Sequence, residues 1–494
     1  MIRKLYILAF ASLTLCTTSC NDWLDVKPDT EQKEEDQFST YQGFQDALIG
    51  CYMSLGNQDI YGERLTMTNI ESLANLWYIE ENTYRYEDKD LAAHTYTTTY
   101  AESAIKAIYS NLFNVIAQAN VIIKNADERG DVITDPAIRA TIQGEAYAIR
   151  AYLQLDVLRL FGQVPQGSQQ VSLPYSETTS IYEMPAYYDF NSYVEKLKND
   201  IEKAKSLLKD NDPVFKYTFS ELNSGPSDLD DFMYYRQSRM NYWAVKALEA
   251  RMYLYIGQKE LAYQTAREVI DATLNGQPVI TMSGEADFKA GYKLCPSECL
   301  FYLSKYDVKD YSSSILVGGN TNTQISASNL YITLTMRDQL YAGINTSNYN
   351  RYGNWWNTQS ADNFGTKQAT ITKYYWNDDD VQNPGLYYQI IPMIRMSEIY
   401  LIAMECTTDL DEANEFYKAY MLEHNSYDAS TNFTSLNDIQ DFIINEYRRE
   451  FYVEGQMFYT YKRFNSNSML WRNAPVNESE YILPLPTSEY NPNK

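Results

Sequence analysis

The chain has 494 residues, 45% of them hydrophobic and 21% charged, which excludes a disordered or collagenous polypeptide and suits roughly two to four structural units. Its 41 Lys and Arg stand against 65 Asp and Glu, a formal net charge of −24, which argues against binding nucleic acid or an anionic bilayer through its surface. With only 2 histidines, His94 and His424, chemistry built on several imidazoles has too few residues to use.

Arg3 and Lys4 precede an apolar run of 11 residues, Leu5 to Leu15. A bilayer needs about 20 such residues, so this run fits a secretory signal and not a membrane span. It leads into Thr17-Thr18-Ser19-Cys20, which resembles a bacterial lipoprotein signal, cut before a cysteine that is then lipidated. Thr17 departs from the usual Leu at that place. The alternative, Cys16, keeps the Leu but puts bulky Leu15 beside the cut, so Cys20 is the expected lipid attachment site. Residues 1–19 are then a signal peptide, and the polar, acidic residues 20–36 a lipidated tether. Four cysteines remain in a long chain, too few for a disulfide scaffold. Cys295 and Cys299, three residues apart, lack a matching Cys or His pair, which predicts buried thiols or one local bridge.

Beyond the tether, helical periodicity dominates. Ile105, Ile108, Leu112, Ile116, Ala119 and Ile123 make one apolar stripe, and Ala146, Ile149, Leu153, Val157 and Leu160 another, stopped at Gly162 and Pro165. Residues 37–230 form an N-terminal helical region. In residues 231–305, a helix from Trp243 to Tyr255 breaks at Gly257 and resumes through Leu261, Ala262, Ala266 and Ile270, which looks like a tetratricopeptide (TPR) hairpin. Met396, Ile399, Tyr400 and Ala403, followed by Leu410, Ala413, Tyr417 and Tyr420, look like a degenerate second hairpin. Residues 306–494 are the C-terminal region. Within it, at 306–390, periodicity collapses into a stretch rich in Asn, Thr, Ser, Tyr and Trp, suited to loops and short strands.

From Cys20-Asn21-Asp22-Trp23-Leu24-Asp25 onward the sequence resembles the SusD/RagB family of outer-membrane nutrient-binding lipoproteins of Bacteroidetes. The resemblance continues in Ile149-Arg150-Ala151-Tyr152, in Phe161-Gly162-Gln163-Val164-Pro165, in Ala247 to Leu254 and in Ile394 to Glu405. It closes with Glu446 to Phe464 and Ile482-Leu483-Pro484-Leu485-Pro486. Tyr447, Met457 and Thr460 stand where the family usually has charged residues, so this is a divergent branch whose local ion pairing is in question. The resemblance implies a mainly α, SusD-like fold with TPR-like helical hairpins as scaffold and an irregular loop-rich part with few short strands. It also implies a cell-surface lipoprotein, anchored in the outer membrane and facing outward, that binds a glycan, or in some members a peptide, and delivers it to a SusC-like TonB-dependent transporter. Family members are not enzymes and need no cofactor, although calcium is sometimes bound.

Two rival classes remain: a surface glycoside hydrolase and a TPR-type protein-binding scaffold. Glu446, Glu450 and Glu454 share one helix face about 6 Å apart. Catalytic carboxyls must flank a sugar from opposite sides, so ion pairing with Arg448, Arg449 and Arg463 is the stronger expectation. Asp378-Asp379-Asp380 and Asp228, Asp230 and Asp231 lack the spacing of a calcium loop and read as solvated loops. The excess of Tyr, 46 against 18 Phe and 7 Trp, suits rings that stack while keeping a polar tip wet. Two aromatic patches are therefore the expected ligand contacts: Trp77 and Tyr78 with Asn75 and Asn82, and Trp355, Trp356 and Trp376 with Asn354, Asn357 and Asn377. For each tryptophan the alternative is a buried packing anchor or part of a seam with the transporter.

Overall fold

The structure is a computed structural model and describes residues 29–180, 183–317, 324–362, 364–377 and 385–490. Helices build most of it. Helix α1 (Tyr41–Leu55) is capped by Thr40, whose side chain accepts from the Gly43 N–H. Helix α2 (Thr99–Arg129) is capped by Thr98 and buries the whole stripe from Ile105 to Ile123. Helix α3 (Pro136–Phe161) begins with Asp135 as cap and Pro136 in its first turn, where the missing N–H has no partner to lose. From Ala148 to Phe161 every residue of α3 is buried, the mark of a central helix. Its charges are paired: Arg150 with Asp200 of α4 (Phe190–Leu208) at 2.6 Å, and Asp156 with the Tyr61 hydroxyl at 2.6 Å.

Helices α5 (Tyr242–Tyr255) and α6 (Lys259–Ile270) form the predicted hairpin around Gly257. Gly257 has φ +79°, a left-handed turn conformation that a Cβ would strain, and Ala262 and Ala266 are fully buried at the seam. Helices α7 (Met396–Cys406) and α8 (Leu410–Glu423) form the second hairpin. Along this series, α1 packs on α2, α2 on α3, α3 on α4, α4 on α5, and so on through α8. The two hairpins recognised in the sequence are thus neighbours: α6 packs directly on α7 although more than a hundred residues lie between them.

The irregular stretch is looped out of this array. It leaves through strand β1 (Cys299–Ser304) and returns through its antiparallel partner at Ile390–Arg395. Between them, Ile332–Thr333 (β2) and Trp356–Asn357 (β3) flank Gln368–Ile371 (β4) in a small antiparallel sheet, and the returning strand Ile390–Arg395 is β5. Helices α9 (Leu436–Glu450) and α10 (Met457–Arg463) then pack back, α9 on α7 and α10 on α9. One hydrophobic core takes in side chains from Phe38 to Leu483. Cys51, Cys295, Cys299 and Cys406 are free, buried thiols, so of the two expectations for Cys295 and Cys299 the local bridge is not formed.

The closing glutamates are paired, but mostly not with the partners expected. Glu446 keeps Arg449 at 2.5 Å. Glu450 instead faces Arg351, Arg395 and His424, and Glu454 faces Arg395 and Lys373. Arg448 donates to Asn445 and Tyr461, and Arg463 pairs with Glu405. Tyr447, Met457 and Thr460 are all buried, and beside Arg449 and His424 the cations on these glutamates come from the looped-out stretch (Arg351, Lys373) and from β5 (Arg395). Gly455 sits at φ +74°, where a Cβ would fall 2.1 Å from the Leu65 carbonyl oxygen, which requires glycine.

Candidate functional site

The four tryptophans expected to meet ligand are buried, and Trp77, Trp355 and Trp356 belong to the core. Trp77 donates its indole N–H to the Met67 carbonyl at 3.2 Å, and its ring meets Tyr452 edge-on at 5.1 Å. Trp356 meets the same Tyr452 at 5.1 Å and donates to the Tyr341 hydroxyl at 3.0 Å. Trp355 donates to the Lys293 carbonyl at 2.8 Å, with the Lys373 ammonium 3.7 Å over its ring. Trp376 lies under Lys309, whose Nζ is 5.0 Å from the ring. Within the looped-out stretch, Trp355 and Trp356 join Leu330, Ile332, Leu340 and Ile371 as buried anchors, so packing takes their faces. Trp77 and Trp356, assigned to separate patches, converge on Tyr452, while Trp355 and Trp376 pack elsewhere.

The expected amides divide the same way. Asn75, at φ +56°, donates to the Ala92 carbonyl at 3.0 Å and acts in the turn. Asn354 donates to the Asn350 carbonyl and Asn357 to Ser360. Asn82 is exposed, and so is Tyr78, at 42%. Cys20 and Asp378 to Asp380 lie outside the described residues. Asp228 and Asp230 accept from the hydroxyls of Tyr217 and Tyr41, which places them in loop hydrogen bonding.

Around Tyr78 the chain builds a ridge that the sequence reading located only in part. The segment from Tyr78 to Tyr84 runs beside residues 326–331. The Tyr78 N–H donates to the Tyr331 carbonyl at 2.9 Å, and the Tyr84 N–H to the Ala327 carbonyl at 3.0 Å. The Tyr331 hydroxyl donates to Glu80, and the two rings of Tyr78 and Tyr331 lie 5.7 Å apart. Tyr84 is 69% exposed. Just beyond it, Tyr86 stacks on Tyr100 of α2 at 5.0 Å and 26°, both rings exposed. On the other side, the Ile325 N–H donates to Ala361, which leads into a turn where the Asp362 carboxylate accepts from Phe364 and Thr366 N–H groups and Phe364 stands 90% exposed. Tyr331 itself is buried, but the wet rings of Tyr78, Tyr84, Tyr86, Tyr100 and Phe364, with Glu80, Asn82 and Ser326 among them, can stack on C–H faces and bond hydroxyls. Tyr84 and Tyr86 carried a signal in the sequence, two tyrosines two residues apart beside Asn82. Tyr100, Tyr331 and Phe364 join only through the fold.

The row of closing glutamates offers no catalytic site. Glu446 and Glu450 are inaccessible, and Glu454 nearly so. His424, Glu446 and Glu450 place ligand atoms within 4.8 Å of one another, a spacing a metal could use. Arg449, Arg351 and Arg395 already occupy those carboxylates, so a cation entering there would meet three guanidinium groups. Burial works against charge at Glu450, but Arg351, Arg395 and His424 outweigh it and hold the carboxyl well below the usual range.

Against known proteins, the SusD family model matches residues 206–491, more than half of the chain. The chain belongs to the SusD family. It is 27% identical over 209 residues to SusD-like protein P2 of Formosa agariphila, a match covering 42% of this chain and 39% of that protein. The match therefore spans about two fifths of the curated relative's length. Solved structures share the fold over nearly full length. A SusD superfamily protein from Bacteroides thetaiotaomicron superposes with a TM-score of 0.69 at 20% identity, over 92% of this chain and 98% of that one. A laminarin-binding SusD-like protein gives 0.64 at 14% identity, over 92% and 98%.

Proposed function

We propose that this SusD-family protein is a cell-surface lipoprotein that captures a glycan or oligosaccharide on the tyrosine ridge and delivers it to a SusC-like TonB-dependent transporter in the outer membrane. The observation that carries the reading is the ridge itself: Tyr78 and Tyr84 expose ring faces on backbone pinned to residues 327–331, so the stacking surface is preorganised. A structural relative described as laminarin-binding supports a glycan as the class of ligand. The lipid would be carried by Cys20, so palmitate labelling should disappear in Cys20→Ala.

The direct test is calorimetric titration of laminari-oligosaccharides, followed by other soluble glycans, into the wild type and into Tyr78→Ala and Tyr84→Ala. A stacked ring is worth roughly 1 kcal/mol, so each variant should lose about fivefold in affinity without losing its fold. Full affinity in the double variant would remove the ridge as the binding site.

A further inference from the structure

A concave site shares no residue with the tyrosine ridge. It is a cleft of about 420 Å³ between α1 and the loop before α5, within the range of roughly 300–1,000 Å³ typical of ligand clefts. Ile49 and Met53, one turn apart on α1, form one rim and are 47% and 74% exposed. Tyr235 forms the other rim with its ring half in solvent, held at φ +54°.

The floor is rigid. The Tyr52 hydroxyl donates to Glu145 at 2.6 Å, and the same carboxylate accepts from Arg239 Nε at 2.9 Å and from Arg236. The Arg239 guanidinium lies 3.9 Å over the Phe232 ring. Its Nη2 is buried and finds no acceptor among the described residues. Arg239 and Arg236 are balanced by Glu145 and Asp212, and nearby Lys305 by Asp307. The rim carries Asp231, with Asp230 beside it, and Asp46 one turn before Ile49 on the same face of α1, so its net charge is negative.

We infer that this cleft binds a peptide segment in which an apolar side chain is flanked by Lys or Arg. Leu48, Ile49, Met53 and Leu303 give the cleft an aliphatic share that suits a Leu or Phe side chain, and Phe232, Tyr234 and Tyr235 line it with rings that can pack on such a group. The acidic rim disfavours fatty acids and other anionic amphiphiles and attracts a cationic neighbour.

The test uses the full mature chain and three synthetic peptides: acetyl-Lys-Phe-Leu-Lys-amide, its counterpart with Glu in place of Lys, and a polar one with Ser in place of Phe and Leu. The first should bind saturably and at least about tenfold tighter than the other two. Ile49→Ser with Met53→Ser, both at exposed rim positions, should weaken it about tenfold with melting unchanged, and Asp231→Asn should weaken it about threefold. Equal binding of all three peptides, no saturable binding, or full affinity in the Ile49/Met53 double variant overturns the inference. So does a Met53-dependent dimer seen by sedimentation without peptide binding, which would make the patch an interface between copies. Glycan affinity measured on the same variants keeps this site apart from the ridge.

Discussion

Arg395 is the residue on which the closing motifs converge, and its removal gives the sharpest test of how they are held. It is 1% exposed and contacts three carboxylates: Glu298, Glu450 at 2.6 Å and Glu454 at 2.8 Å. It also donates to the Glu450 carbonyl at 3.0 Å. Arg395→Met keeps the volume of the stem and deletes the charge. Glu450 retains Arg351 and His424, and Glu454 retains Lys373, whereas Glu298 is left with Ser397 and the Ser283 N–H. Removing one partner of a buried ion pair costs about 3–5 kcal/mol. With an unfolding entropy of roughly 2.1 cal/mol/K per residue, a chain of 494 residues loses about 1 °C of Tm per kcal/mol, so calorimetry should read a fall of about 3–5 °C near neutral pH. The pH dependence follows from Glu450. Its folded-state pKa is depressed, so its contribution to stability is present above the unfolded carboxylate range and is lost as pH falls. Without Arg395 the depression shrinks, so the gap in Tm between wild type and variant should narrow from pH 6 to pH 3. A Tm change below about 1 °C, or a gap that stays constant or widens in acid, would refute this account of the network.

Ala266→Trp, at a fully buried position facing the α5–α6 seam, should cost on the order of 1–3 kcal/mol, visible as a lower denaturation midpoint. Trp77→Ala should destabilise by about 3–5 kcal/mol, whereas Tyr84→Ala should change stability by no more than about 0.5 kcal/mol; the reverse order would return Trp77 to the surface. Lys462 is buried with its ammonium donating to the carbonyls of Arg159 and Gly162 at the end of α3, and burial pushes its pKa well below the usual lysine value. The unfolded chain therefore binds the extra proton, so the wild type should gain stability relative to Lys462→Met as pH rises toward 10, and parallel pH profiles would contradict that.

The sequence by itself determined the helices, the hairpin turn at Gly257 and the family. These depend on local information: apolar spacing near 3.6 residues, Thr, Asp and Asn caps, one glycine at positive φ, and motifs in a fixed order. Tertiary structure alone decided which aromatic rings are wet. Trp77 and Tyr78 are adjacent in the chain and face opposite ways, because Tyr452, nearly four hundred residues on, covers one and only the neighbouring Tyr331 leans on the other. A large amphipathic ring has the same composition signature as a platform or as an anchor; what covers it makes the difference. The partners of Glu450 were hidden for the same reason. Arg351 lies 99 residues before it and Arg395 55, and a charge at such separation leaves no periodic trace. The contact of α6 with α7 across the looped-out stretch likewise had no local signal, since it is made by faces whose apolar residues would serve any neighbour.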